Sequence, residues 1–197
     1  MAKIGLSKPI IALYSASGST VTYSSKATLG KFTDLSIDID DASDNTLYAD
    51  NAPAEVETSF AGGTVTVTTD DLSPDVMTSV LGLHETTISA TGVTTSGAKW
   101  LDFDDRQLVP AVALCGVIKR RIGGDTKYQA FVLPKVTFSN PAMAVTTQGE
   151  TIEWQTQELG GKIERDDTAN HGWQHLSSYL ATEDEALAAI DDFLGIA

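Results

Sequence analysis

Two histidines stand four residues apart in "NHGWQH", His171 and His175. On a helix that spacing would bring both imidazoles to one side, where they could share a metal ion. Gly172 lies between them, no third ligand is close in sequence, and the third histidine, His84, is far away. The stretch therefore reads as a surface turn anchored by Trp173. Glu55 and Glu57 are a carboxylate pair of the kind glycosidases use. They fall on one face of one strand, with no aromatic platform beside them to seat a sugar. Asp38, Asp40, Asp41 and Asp44 supply oxygen ligands, but a calcium loop needs glycine at its sixth place. Here Ala42 and Ser43 take the fifth and sixth, so the run reads as an acidic strand end entering a solvated loop. Cys115 sits in the apolar run "AVALCGVI", where a buried, inert thiol is expected. "LGGK" lacks the spacing and the following Ser or Thr of a phosphate loop. The sequence thus names no catalytic residue, no cofactor and no metal ligand, and a non-enzyme is expected.

Strand-like alternation recurs along the chain. "IIALYS" and "TVTYSS" read as two strands split by the turn cluster "ASGS". "KFTDLSIDID" puts Leu35, Ile37 and Ile39 on one face and Asp34, Ser36, Asp38 and Asp40 on the other. "DASDNTLYADNAPA" reads as a long polar loop. "AEVETSF" and "TVTVTTD" flank Gly62-Gly63, which suits a type I′ hairpin turn. That register sets Phe60 opposite Val65, Thr58 opposite Val67 and Glu55 opposite Asp70, leaving one apolar face and one acidic face.

A short helix is expected over about 73–82. Ser73 suits the N-cap, Pro74 the first helical position, Asp75 the positive first turn and Gly82 the C′ position. Val76, Met77, Val80 and Leu81 form its packing stripe, with Leu72 poised to staple against Met77. "VPAVALCGVIKRRI", "GGDT" and "KYQAFVLPKVTF" read as a long hairpin. Its tip gathers Lys119, Arg120, Arg121 and Lys127, four of only 13 basic residues. "GETIEWQTQELGGKIERD" promises further strands, with Ile152 and Trp154 alternating against Glu153 and Gln155. A second helix is expected over about 182–195, where Thr182 and Glu185 have capping-box spacing and Leu187, Ile190 and Leu194 share an apolar face. The expected fold class is mainly β, a β-sandwich or barrel with one internal and one C-terminal helix.

The 197 residues fit one domain, with 165–197 as a possible C-terminal extension. One cysteine allows no internal disulfide. A formal charge of −14 opposes ordinary binding to phosphate backbones. The longest apolar piece near the N-terminus, "PIIALY", is shorter than a signal peptide's core, and no run is long enough to span a membrane. Long strands leave edges that must be closed, and a ring of subunits sharing sheets would close them around a lumen.

Five stretches in order carry a resemblance: "IGLSKPIIALYS", "LYADN", "FAGGTVTVTTDDLSPDVMTSVLG", "KYQAFVLPKVTFSNP" and "GETIEWQTQELGGKI", spread over residues 4 to 164. Together they resemble the major tail protein (tail tube protein) family of long-tailed bacteriophages. The resemblance implies a β-sandwich carrying a helix, self-assembled as hexameric rings that stack into a tube for genome delivery. It implies a virion tail protein assembled in the host cytoplasm. It implies as partners other copies of the chain, a tape-measure protein, and tail terminator and tip proteins. Double-stranded DNA would pass through without specific binding, and no membrane is involved. An acidic lumen would repel DNA and keep its passage smooth. Asp38, Asp40, Glu55, Glu57 and Asp70 are the candidates to line it. Lys119, Arg120, Arg121 and Lys127 are the candidates for contact between subunits. The alternative is a non-catalytic β-sandwich module for adhesion or carbohydrate binding.

Overall fold

The computed structural model describes residues 2–41, 45–49, 52–57, 60–143, 145–147 and 155–196. Among the described residues, twelve strands and two helices follow in order. They are β1 (Ala2–Ser17), β2 (Thr20–Thr28), β3 (Phe32–Asp41), β4 (Asn45–Ala49), β5 (Ala52–Glu57) and β6 (Phe60–Thr69). Then come α1 (Pro74–Leu81), β7 (His84–Thr87), β8 (Lys99–Asp102), β9 (Ala111–Ile122) and β10 (Asp125–Phe138). The last are β11 (Gln157–Ile163), β12 (His175–Leu176) and α2 (Glu183–Leu194). The chain is mainly β, as its alternation predicts.

Seven strands pair antiparallel in the order β2-β1-β9-β10-β11-β6-β3, and β12 adds to β10. One face of this sheet is apolar throughout. Ile11, Val65, Val67, Val112, Leu114, Phe131, Leu133, Leu159 and Ile163 are all buried in one core, with Leu35, Ile37 and Ile39 packed against it. Strands at opposite ends of the pairing order thus share one interior, so the sheet rolls up. It does not close. The first half of β1 pairs only with β9, since β2 joins β1 from Ile10 onward, and β3 pairs only with β6 among the described residues. A seam lies between β1 and β3.

Helix α1 plugs this core. Leu72, Val76, Val80 and Leu81 are buried in it and Met77 is partly buried against it, as the stripe predicts. Pro74 takes the first turn, and Gly82 adopts φ 63° and donates its N–H to the Thr78 carbonyl. Ser73 stands at the N-cap but its hydroxyl makes no capping bond; its carbonyl accepts from Met77 N–H at 3.0 Å. The start of α1 is therefore held by proline geometry and burial rather than by a side-chain cap.

Helix α2 covers part of the outer face. Ala186, Ile190 and Leu194 bury against Ile10, Ala12, Ala113, Cys115, Val117, Ala130 and Val132. The Lys26–Asp191 ion pair and the hydrogen bond from Ser7 to Glu183 tie it to β2 and β1. Thr182 accepts from Glu185 N–H at 3.2 Å, while the Glu185 carboxylate accepts from Ala181 N–H at 2.8 Å. The helix packs on its own subunit's sheet and completes a second core.

Two local expectations are corrected. Gly62 and Gly63 are not a hairpin turn: β6 runs straight through them, and neither has the positive φ a type I′ turn requires. Instead Gly63 lets β3 and β11 close in, because a Cβ there would stand 2.9 Å from the Asp38 carbonyl oxygen and 3.1 Å from Ile39 Cδ1. Ala54–Glu57 consequently do not pair with β6, and Phe60 belongs to β6 itself. Ala52–Glu57 pair with β4, so the polar stretch read as a loop contributes β4 and the start of a hairpin. Thr58, Ser59 and the expected strand around Ile152 and Trp154 lie outside the described residues. The two-residue Gly-Gly turn does occur elsewhere: Gly123 and Gly124, at φ 60° and 99°, join Ile122 to its partner Asp125.

Ile190 of α2 is fully buried against the sheet. Ile190→Ala should lower unfolding free energy in urea by about 2–4 kcal/mol. A loss under about 1 kcal/mol would mean that the helix does not form one cooperative unit with the sheet.

Candidate assembly surfaces

Alternation gives the sheet an outer face as well as an inner one. Over β1, β9 and β10 that outer face is apolar and lies under α2. Over β3, β6 and β11 it is polar and bare. Three cross-strand rows define it: Asp34, Thr68 and Glu158; Ser36, Thr66 and Gly160; Asp38, Thr64 and Lys162. Asp40 follows, opposite Gly62. Asp34, Ser36, Asp38, Asp40, Thr64, Glu158 and Lys162 are exposed, and Thr66, Thr68 and Gly160 are partly so. No large apolar side chain interrupts these rows, and four carboxylates stand against one lysine. Such a wall is smooth and weakly anionic.

Two of the five acidic candidates, Asp38 and Asp40, belong to this wall. Asp70 does not. It follows the end of β6 and is spent locally: its Oδ1 accepts from Lys31 N–H at 2.7 Å and from Asp71 N–H at 3.0 Å. Its Oδ2 lies 3.8 Å from Lys31 Nζ. Glu55 and Glu57 lie on β5, away from β6, because the hairpin that would join them to Asp70 does not form. Their side chains lie outside the described residues. Asp34 and Glu158 join the wall instead. Asp34 was visible in the alternation of β3; Glu158 required knowing that β11 borders β6.

Two of the four basic candidates, Arg120 and Lys127, come together on one face. Lys127 pairs across from Arg120, and Lys3 pairs with Arg120 from the other side, so three cations make one row over three strands. Lys119 and Arg121 lie on the opposite face of β9 and are exposed. The Arg120 guanidinium carbon sits 5.7 Å from the Tyr179 ring centroid, a cation–π distance. Its Nε is buried without a hydrogen-bond partner. Beside this row the seam opens into a cleft of about 270 Å³, whose mouth holds Lys3, Arg120 and Gln174 and whose walls include Leu35, Ile37 and Ile39.

The other end of the barrel is different. The loop after β8 carries Phe103 and Leu108, 51% and 82% exposed, among Asp102, Asp104 and Asp105. Arg106 answers Asp104 through a two-pronged contact, its Nε at 3.0 Å from Oδ2. Met143 and Val145 are exposed on the following connection, which Asn140 joins to this loop through Gln107. Sequence reading passed over this surface because "LDFDDRQ" looks like any polar loop. The one available signal was an aromatic residue flanked by acids on both sides.

The residues with potential for chemistry are placed structurally. Cys115 is buried beneath α2, where desolvation pushes its thiol well above its usual range. Trp173 anchors its turn by stacking on Phe60, with ring centroids 4.9 Å apart and an interplanar angle of 7°. His171 Nδ1 lies 3.3 Å from the Asp166 carbonyl oxygen, and the His175 ring packs 4.8 Å from Phe193. Among the described residues, no three His, Cys, Asp or Glu side chains are placed to hold a metal ion. No described helix is long and apolar enough to cross a membrane.

No protein-family model matches the chain, and no curated protein matches it.

The 165–175 segment is latched to β1. Tyr14 donates to Asp167 Oδ2 at 2.6 Å and accepts from Asp167 N–H at 2.9 Å, while Lys135 Nζ reaches the same carboxylate at 3.0 Å. Desolvation, then the bond to Asp167, raises the Tyr14 phenol to about 12. An unfolded tyrosine ionises near 10. Between those values only the folded chain keeps the proton, so stability is full below about pH 10 and falls as pH rises through about 12. Urea unfolding at a series of alkaline pH values should show that fall, and Tyr14→Phe should make it shallower. An identical slope in the variant would mean that Tyr14 does not contribute to it.

Proposed function

We propose that the chain is a structural tube subunit: a major tail protein of a long-tailed phage. It forms hexameric rings that stack into a conduit for double-stranded DNA. The single observation that carries this reading is the bare wall of β3, β6 and β11. A sheet face made of Thr, Ser, Gly, Asp and Glu in regular rows, with one Lys, offers neither apolar grip nor a cluster of cations. Duplex DNA is a dense line of negative charge, and a cationic wall would hold it by counterion release. A weakly anionic wall of short side chains lets it slide. The ordered resemblance of residues 4 to 164 to the family points the same way.

In this reading Asp34, Asp38, Asp40 and Glu158 line the lumen, and the core beneath them keeps the wall rigid. The basic row and the Phe103 loop lie at the two axial ends, where successive rings meet. A tape-measure protein occupies the lumen during growth, and terminator and tip proteins close the ends. The finished protein resides in the virion tail.

Concentrated protein, alone and with a tape-measure partner, should form rings or tubes visible by electron microscopy. The tubes should not retain duplex DNA in co-sedimentation at low salt. Asp38→Lys with Asp40→Lys should leave the subunit folded, yet make its tubes retain DNA in a manner abolished by added salt. Protein that stays monomeric under both conditions would overturn the reading. Variant tubes that ignore DNA would remove these two residues from the lumen.

A further inference from the structure

We infer that the cleft at the open seam receives the Phe103 loop of a second copy, locking subunits head to tail. The inference rests on the tube reading and names the contact by which one ring holds the next.

The cleft and the loop complement each other in shape and charge. The cleft has half-buried isoleucines and a leucine on its walls, and Lys3 and Arg120 at its mouth. Its volume of about 270 Å³ falls below the roughly 300–1,000 Å³ of small-molecule sites and suits one large side chain. The loop presents one aromatic side chain, Phe103, with Asp102 and Asp104 as its neighbours and Asp105 next. Seating the ring in the cleft would bring these carboxylates towards the charges of Lys3 and Arg120.

The loop is also built to dock rather than to fold back. Arg106 N–H bonds Asp104 Oδ1 at 2.9 Å, and Gln107 N–H bonds the Asp104 carbonyl at 3.0 Å. Gln107 Nε2 donates to the Leu81 carbonyl at 2.9 Å, and His84 Nε2 lies 3.2 Å from the Arg106 carbonyl oxygen. A loop held this firmly loses little entropy on binding. Yet Phe103 is half exposed, so the order serves display rather than burial.

Within one copy the two surfaces cannot meet. Nine residue steps of extended strand separate Ala111, just past the loop, from Arg120, a span of about 30 Å. A contact between two different patches of identical chains is heterologous. Where its rotation does not close, it propagates as a stack.

The test uses the full chain under conditions where the wild type forms tubes. Phe103→Ala alters an exposed side chain and should leave the fold intact, while tube length or yield falls about tenfold or more. Lys3→Glu should act in the same direction, and pairing it with Asp105→Lys should restore part of the loss. Circular dichroism and thermal melts on each variant separate misfolding from lost contact. Phe103→Ala tubes indistinguishable from wild type would overturn this contact and leave the tube reading standing. A wild type that forms no assemblies would overturn both.

Discussion

Everything in this molecule follows from one sheet having to bury its apolar face along its whole width. Val65 and Val67 on β6 meet Leu35 and Ile37 on one side and Leu159 and Gly161 on the other. The same inner face continues through Val112, Leu114, Phe131 and Leu133. A flat sheet would leave this face in water at about 25 cal/mol for each Å². Rolling it round a shared interior removes that cost, and α1 fills the end that curvature alone leaves open. Gly63 permits the close approach of β3 and β11 to β6.

The outer face is then divided rather than uniform. Over β1, β9 and β10 the residues are Ile10, Ala12, Ala113, Cys115, Ala130 and Val132, small enough to let α2 lie close. Over β3, β6 and β11 they are Asp, Glu, Ser, Thr and Gly with a single Lys. The helix covers only what needs covering. A chain of net charge −14 still keeps a row of cations on neighbouring strands, because Lys3, Arg120 and Lys127 sit where the strands run past the apolar interior. The result is a subunit whose two barrel ends differ in charge and whose two outer faces differ in polarity.

Local signals were legible in the sequence where the physics was local. The alternation of β3, the Pro74 and Gly82 punctuation of α1, and the Thr182–Glu185 spacing of α2 each depend on residues within a few positions. They came through intact. The partner of β6 did not. Gly-Gly serves equally as a turn or as a place where strands crowd, and only Ile39 and Ile163, distant in sequence, decide which. The same ambiguity hid β4 and β5 inside a polar stretch. Of the acidic candidates, Asp38 and Asp40 were correctly set on one face by alternation. Asp70 was misplaced because its role, tying the Lys31 turn, depends on a segment 39 residues away. The Phe103 loop carried no periodic signal at all.

The pairing order has a consequence for how the chain is made. β1 finds β9 only after about a hundred further residues have been synthesised, and β6 must wait for β11. At roughly 5–20 residues per second, a ribosome exposes the β9-facing edge of Ile10 and Ile11 for several seconds before β9 emerges. Long-range antiparallel pairing of this kind folds slowly even in a free chain. The second core waits longer still, since α2 is the last described element to appear. Nascent chains should therefore depend on holdase-type chaperones until the sheet is fully wrapped.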